Sequence, residues 1–179
     1  MCSSDLLDEV RLPADALLGG REGEGFRAAM RSLDNGRLSV AAAAAGYARR
    51  ILDSAVGYAR ERTAFGEPIA RFQLIQAMLA DSRADIYAAE CMIADASRRA
   101  DEGERVTIEA ASAKMFASEM CGRVADRCVQ IHGGAGYLAD YPAERFFRDA
   151  RLYRIYEGTT QILQLVIARA MLREAEQLG

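Results

Sequence analysis

The sequence predicts an all-α fold, an antiparallel up-down helical bundle. Prolines occur only at positions 13, 68 and 142, and the long stretches between them are rich in Ala, Leu and Arg. Apolar residues within those stretches recur at three-and-four spacing, which places them on one face of a helix. Because long helices with short connections pack beside antiparallel neighbours, a bundle is the expected architecture.

The helix ends are marked by residues that cap or break helices. Thr107 is expected as an N-cap, Gly133 and Gly134 as a stop, and Pro142 in a first helical turn. The predicted helices cover residues 23–62, 72–101, 107–132, 142–151 and 159–177. We therefore expect a four-helix-bundle domain over residues 23–179.

The first 22 residues have a different pattern. Residues 1–6 have neither the charge nor the apolar run of a targeting segment, and residues 7–20 are short and irregular. We interpret residues 1–22 as a non-native start followed by the remnant of a preceding domain. On that interpretation the native N-terminus is not visible, and we expect a bacterial cytoplasmic protein.

Charge and composition argue against several classes of function. A formal net charge of −3 and a pI near 5.3 argue against binding to nucleic acid. No apolar run approaches the roughly 20 residues that span a bilayer. The four cysteines form no CxxC pair, so we expect free thiols in a reducing compartment. A di-iron bundle needs two Glu-x-x-His motifs, and His132 is the single histidine, so no metal site is expected.

A bend is predicted at Glu157, because Gly158 and Thr159 break one element and cap the next. The carboxylate then stands beside the exposed N–H groups of a helix N-terminus. An acid in that place can simply complement the helix dipole, or it can be a positioned base. The spacing leaves both interpretations open, and the first is the more common arrangement.

Three further segments contain residues that could take part in chemistry. Asn35-Gly36 is a strong turn signal, and a helix that continued through it would carry a glycine costing about 1 kcal/mol relative to alanine. Arg62 could be an ordinary cation at a helix C-terminus. The glycines after His132 fit a helix stop, and they could also bring backbone N–H groups close to a phosphate. Taken singly, each segment has an ordinary structural explanation.

In their order and approximate spacing, these segments resemble the C-terminal helical domain of the acyl-CoA dehydrogenases, from about residue 9 to the end. The most informative match is Glu157-Gly158-Thr159 following Arg148-Asp149-Ala150-Arg151. The other matches are residues 33–37, residues 58–69 with Gln73, and residues 130–137. The family's N-terminal helical domain and nearly all of its middle β domain have no counterpart here, so residues 1–22 would include the remnant of that middle domain.

The resemblance implies a flavin enzyme that dehydrogenates an acyl-CoA thioester to the 2-enoyl-CoA. Glu157 would take the α-proton while the β-hydrogen leaves as hydride to FAD, and Gly158 would touch the substrate. The further implied substrate contacts are Asp34, Asn35, Gly36 and Arg37. Some members carry the catalytic acid at the position of Gly36, which has no acid to offer here.

The resemblance also implies a cofactor site that is shared between subunits. Thr159, Thr160 and Gln161 would contact FAD. The residues implied to bind the FAD of the neighbouring subunit are Arg62 at the pyrophosphate, Phe65, Gln73, and at the adenosine diphosphate end Gln130, Ile131, His132, Gly133 and Gly134. A homodimer or homotetramer follows, and electron-transfer flavoprotein is the implied electron acceptor.

Two other functions stay open. An acyl-CoA oxidase would share the fold and the base, since oxygen reactivity depends on access to the flavin. A related nitroalkane oxidase has Asp at the position of Glu157, which argues against that activity. The non-enzymatic alternative is a helical module for oligomerisation, and we expect these 179 residues alone to bind FAD poorly and to turn nothing over.

Overall fold

The computed structural model describes residues 8–178, without the side chains of residues 31, 34, 177 and 178. Two compact units divide the chain after Ser32. In the first unit, residues 8–24 form turns, two of which are the short 3-10 segments Ala14–Ala16 and Leu18–Gly20. All the side chains described between residues 8 and 30 are exposed within it. The expected non-native start lies largely in residues 1–7, outside the described residues.

Helices dominate the described chain, and the prediction of an all-α fold is confirmed. The helices are α1 (Gly25–Glu61), α2 (Gln73–Asp101), α3 (Thr107–His132), α4 (Pro142–Leu152) and α5 (Thr160–Leu178). A small antiparallel hairpin of β1 (Thr63–Ala64) and β2 (Glu67–Pro68) joins α1 to α2. This hairpin was not predicted, because two-residue strands leave no periodic signal in the sequence.

One local expectation differs from the structure and three agree with it. The helix predicted over residues 23–62 is continuous as α1, so the turn signal at Asn35-Gly36 does not break it. Thr107 is not the N-cap of α3, because Val106 occupies that position and Thr107 is the first helical residue. Gly133 does end α3, with a positive φ of 59°, and Pro142 does begin α4.

Helix α3 lies at the centre of the second unit and contacts α2, α4 and α5. Ion pairs give the direction of α2 and α3: Arg127 meets Asp85 near one end, and Arg99 meets Glu109 near the other. The two helices are therefore antiparallel. In contrast, α1 runs parallel to α3: Tyr58 near the end of α1 meets His132 at the end of α3, and Arg37 in the first half of α1 lies near Lys114 in the first half of α3.

Small residues let these helices approach closely. Six alanines of α1 are at most 2% exposed, and cysteines 121 and 128 of α3 are buried in the same core. The alanines are Ala41, Ala44, Ala45, Ala48, Ala55 and Ala59. Larger side chains such as Ile51 and Ile86 fill the remaining space, and each contributes roughly 1.5–3 kcal/mol by its burial. None of the described helices has the length and apolarity to cross a bilayer.

Candidate active site

Glu157 lies in the short connection between α4 and α5, at a point where the backbone is left-handed. The φ angle is +55° at Glu157 and +94° at Gly158. Glycine accepts a positive φ without a steric cost, whereas a residue with a side chain pays roughly 1 kcal/mol or more. Such a conformation persists only when the surrounding structure holds it in place.

The Glu157 carboxylate lies directly against Gly36 of α1. A Cβ atom built on Gly36 would come within 2.8 Å of Glu157 Oε2 and 3.2 Å of its Cδ. Oε2 is buried, and it accepts no hydrogen bond from any residue that the structure describes. The acid therefore points inward at the bundle, with an oxygen available to accept a proton.

Two cations lie near this carboxylate. Arg37, which follows Gly36 on α1, is 7% exposed. Lys114 of α3 is completely buried, and its Nζ donates a hydrogen bond of 2.7 Å to the Gly158 carbonyl oxygen. Burial lowers the pKa of Lys114 to about 8; the charge of Glu157 opposes that shift and the charge of Arg37 adds to it. An acid, a guanidinium and an ammonium group thus share one interior site.

Glu119, one and a half turns after Lys114 on α3, holds both sides of the same connection. Its Oε1 accepts a 2.7 Å hydrogen bond from the hydroxyl of Thr160, the first residue of α5. Its Oε2 lies 2.8 Å from Nη2 of Arg154, which follows α4. Helix α3 therefore fixes the backbone before and after Glu157.

A second site lies at the far end of α1. A cavity of about 400 Å³ brings Arg62 beside the turn that follows α3. The cavity is lined by Tyr58, Arg62, Ile69, Ile131, His132, Gly133, Gly134, Ala135 and Tyr141. A guanidinium group and a glycine turn at one cavity make a suitable environment for an anion such as a phosphate.

His132 is buried at this cavity and its ring is fixed on two sides. Nδ1 lies 2.8 Å from the Cys128 carbonyl oxygen, so Nδ1 carries the hydrogen and donates it. The ring stacks on Tyr58 with centroids 4.0 Å apart, and the Tyr58 hydroxyl donates to the His132 carbonyl at 3.3 Å. Burial lowers the pKa of His132, and the hydrogen bond to Cys128 opposes that shift.

The hairpin presents an aromatic side chain outward. Phe65 and Gly66 occupy its turn with φ angles of +52° and +88°, and Phe65 is 98% exposed. The Phe65 ring meets the edge of Phe72, which precedes α2, with centroids 6.1 Å apart. An apolar ring held in this exposed place is available for contact with another molecule.

Residues 23–172 match a family model described as the acyl-CoA dehydrogenase C-terminal domain. The chain belongs to the acyl-CoA dehydrogenase family. Three similar proteins add detail. The probable acyl-CoA dehydrogenase YngJ of Bacillus subtilis strain 168 is 48% identical over 168 residues, which are 94% of this chain and 44% of that protein.

Two solved structures of the family have the same helical arrangement. The butyryl-CoA dehydrogenase of Megasphaera elsdenii matches with a TM-score of 0.83 and 44% identity, over 86% of this chain and 40% of that one. The acyl-CoA dehydrogenase of Bacillus anthracis complexed with FAD matches with a TM-score of 0.79 and 35% identity, over 87% of this chain and 30% of that one. The chain thus spans less than half the length of these relatives.

Several of the predicted site residues of this member of the acyl-CoA dehydrogenase family come together in two groups. Glu157 meets Gly36 at one place, with Gly158 directly after it in the chain and Arg37 nearby. Arg62 meets residues 131–134 at the other. The structure leaves Asn35, Phe65, Gln73, Gln130 and Gln161 exposed. The side chain of Asp34 lies outside the described residues.

The threonines predicted to contact FAD have partners within the chain. The Thr160 hydroxyl donates to Glu119, and the Thr159 hydroxyl oxygen accepts from the backbone N–H of Ile162 at 3.3 Å. Thr159 is therefore the capping residue of α5. Both side chains help to hold the connection that carries Glu157.

Sequence reasoning missed Lys114, Glu119 and Arg154. A usable signal existed for Lys114, because residues one helical turn away on either side are Ala110, Ala111, Ala117 and Ser118, all on the buried face. A lysine on such a face must find a partner in the interior. Glu119 and Arg154 gave no such signal, since each is partly exposed and a charged residue at the edge of a helical face is ordinary.

Proposed function

We propose that this chain is the C-terminal part of an enzyme that dehydrogenates an acyl-CoA thioester to the 2-enoyl-CoA, with Glu157 as the base. The observation that supports this most directly is the contact of the Glu157 carboxylate with Gly36. A catalytic base must be held at a defined place and must keep an atom free for the proton. Glu157 Oε2 meets both conditions among the residues that the structure describes.

The substrate would lie over the stretch of α1 that includes Gly36. The absent side chain leaves room at the carboxylate, and a thioester placed there would have its α-carbon beside Oε2. Asp34, Asn35, Arg37 and Gly158 are the further contacts that we propose. Arg37 is a suitable partner for an electron-rich oxygen of the substrate, since a buried guanidinium keeps its charge.

FAD is the cofactor that we propose, and the residues at the second cavity fit it. Arg62 would pair with a phosphate oxygen, and the turn at Gly133 and Gly134 would admit the pyrophosphate close to the backbone. Gln73, Gln130, Ile131 and His132 would complete this contact surface, with the exposed Phe65 ring packing against the cofactor. When bound, FAD supplies the acceptor for the hydride that leaves the β-carbon.

The two sites are too far apart to hold the same part of one cofactor. Gly36 and Arg62 are separated by 26 positions of α1 and the residue that follows it, which is roughly 39 Å of helix. We therefore propose that Thr159, Thr160 and Gln161 face the FAD of their own subunit. Arg62 and residues 130–134 would face the FAD of a neighbouring subunit, in a homodimer or homotetramer.

Electron-transfer flavoprotein is the proposed acceptor of the electrons, and molecular oxygen in an acyl-CoA oxidase is the alternative. Because the chain spans less than half the length of its relatives, we propose that these 179 residues alone bind FAD poorly and turn nothing over. By itself the chain would then behave as a helical oligomerisation module.

The proposal is tested with the full-length protein loaded with FAD. Anaerobic mixing with acyl-CoA thioesters of graded chain length should bleach the flavin absorbance and yield 2-enoyl-CoA. Formation of hydrogen peroxide in air at the rate of product formation would favour the oxidase. If flavin-loaded protein gives no product with any chain length, the proposed function is wrong.

A further inference from the structure

We propose that Lys114 is a positioning residue for the base, because from the core of α3 it holds the Gly158 carbonyl and so fixes the turn that carries the Glu157 carboxylate. This inference rests on the proposed function, since it concerns the base of that reaction. No part of it requires Lys114 to touch the substrate. The claim is that the base is correctly placed only while this ammonium group is present.

Lys114 is unusual in both its burial and its identity. It is the single lysine among 23 basic residues, and none of its surface is exposed. Burying an ammonium group is unfavourable unless hydrogen bonds and opposite charges compensate for the lost hydration. The hydrogen bond of 2.7 Å to the Gly158 oxygen is therefore a strong and specific contact, of the charge-assisted kind. An alanine or methionine would fill this place with no such cost.

The contact falls where the backbone most needs support. Glu157 and Gly158 are consecutive residues with positive φ, and only the second is a glycine. Glu119 anchors the chain on either side, at Arg154 and Thr160. Lys114 supplies the anchor between those two points, directly after the base. Without it, the peptide that follows Gly158 would lose the partner of its carbonyl and gain freedom to turn.

The charge of Lys114 also faces the reacting group. Glu157 from the connection and Glu119 from α3 attract the ammonium group, and Arg37 from α1 repels it. Burial and Arg37 together outweigh the acids, so the pKa of Lys114 is lowered to about 8. Lys114 is therefore protonated at neutral pH and loses its charge as the pH rises through about 8. Positioning by a cation should weaken over the same range.

The test compares three full-length, flavin-loaded proteins: the wild type, Lys114→Met and Lys114→Arg. Methionine keeps the length but removes the donors and the charge, whereas arginine stays protonated throughout. We expect Lys114→Met to lower kcat by about tenfold or more, with a smaller change in KM, since a charge-assisted hydrogen bond is lost. We expect the kcat/KM of the wild type to fall as the pH rises through about 8, because Lys114 then loses its charge. This fall should be absent from both variants. Lys114→Arg should recover part of kcat.

The matched control is Ser118→Ala, on the same helix. Ser118 is also completely buried, and its hydroxyl donates to the Met115 carbonyl of its own helix. This control should keep the wild-type kcat and pH profile. If Lys114→Met does not fold, Lys114→Gln replaces it, because glutamine keeps a donor without the charge.

The outcomes separate this inference from the proposed function. An active wild type with Lys114→Met retaining the wild-type kcat and pH profile would overturn the inference and leave the proposed function intact. Equal losses in Lys114→Met and Ser118→Ala would also overturn it, since any buried polar residue of α3 would then have the same effect. An inactive wild type would remove the proposed function and this inference together.

Discussion

Glu157 Oε2 lies where a side chain on Gly36 would begin, since a Cβ atom built there would be only 2.8 Å away. The two residues are 121 positions apart in the chain: Gly36 belongs to α1, and Glu157 to the connection between α4 and α5. The helix α1 is continuous through Gly36, so this glycine is not needed for a turn. Its lack of a side chain instead leaves space beside its Cα atom. That space is where the carboxylate lies.

Replacing Gly36 with alanine should therefore separate stability from activity. Alanine in a helix is favoured over glycine by about 1 kcal/mol, and the atom it would strike is the flexible end of a side chain. We expect Gly36→Ala to melt at the wild-type temperature or above, while kcat falls by about tenfold or more because the base is displaced. Thermal unfolding and steady-state kinetics of the full-length enzyme measure the two effects.

Gly46→Ala is the matched control for this change. Gly46 lies on the same helix, and a Cβ atom there would meet nothing within 4 Å. It should gain the same helix propensity and keep full activity. Equal kcat values for Gly36→Ala and Gly46→Ala would show that the carboxylate does not work from this place.

The sequence was sufficient to predict the helices, because three-and-four spacing and glycine or proline ends are local signals. The end of α3 at Gly133 and the start of α4 at Pro142 followed from those signals. The Asn35-Gly36 signal left a turn open as an alternative within the predicted helix, and α1 continues through it because packing along the bundle outweighs the cost of one glycine. The N-cap of α3 was predicted at Thr107, one residue later than Val106, because helix starts are set by backbone geometry as well as by the type of capping residue.

The site was predictable only in part. The resemblance to the family predicted Gly36 and Glu157 at the substrate, and Arg62 and Gly133 at FAD. In the structure the members of each pair lie close together. Long-range partners such as Lys114 with Gly158 depend on how α3 packs, which no local pattern specifies. The same holds for the contact of Glu119 with Thr160.

Arg62 should contribute to flavin affinity. If its guanidinium pairs with a cofactor phosphate, Arg62→Ala should raise the dissociation constant of FAD by about tenfold or more. The dissociation constant of Arg62→Lys should lie between those of the wild type and Arg62→Ala. Fluorescence titration of the full-length apoprotein with FAD measures this. Arg60→Ala is the control. Arg60 lies near the end of the same helix and is exposed, but it does not line the cavity. Indistinguishable affinities for Arg62→Ala and Arg60→Ala would remove Arg62 from the cofactor site.

Stability should depend on pH through His132. Burial holds the pKa of His132 below its ordinary value of 6.5, so the unfolded chain binds a proton more readily than the folded one. The stability that the folded protein gains from a neutral His132 is therefore complete above pH 6.5, and it is lost as the pH falls below that value. We expect the melting temperature of the wild type to drop more between about pH 7 and about pH 5 than that of His132→Asn, which keeps a donor but does not titrate. Equal drops in melting temperature for the wild type and His132→Asn over this pH range would contradict the prediction.

The most direct test of the central claim is the turnover of Glu157→Gln in the full-length enzyme. Glutamine has nearly the same shape as glutamate and cannot take the α-proton. We expect the variant to bind FAD as the wild type does and to lose dehydrogenation by at least about a hundredfold, which is the usual contribution of a general base. A flavin-loaded Glu157→Gln protein that forms 2-enoyl-CoA at close to the wild-type rate would contradict the account.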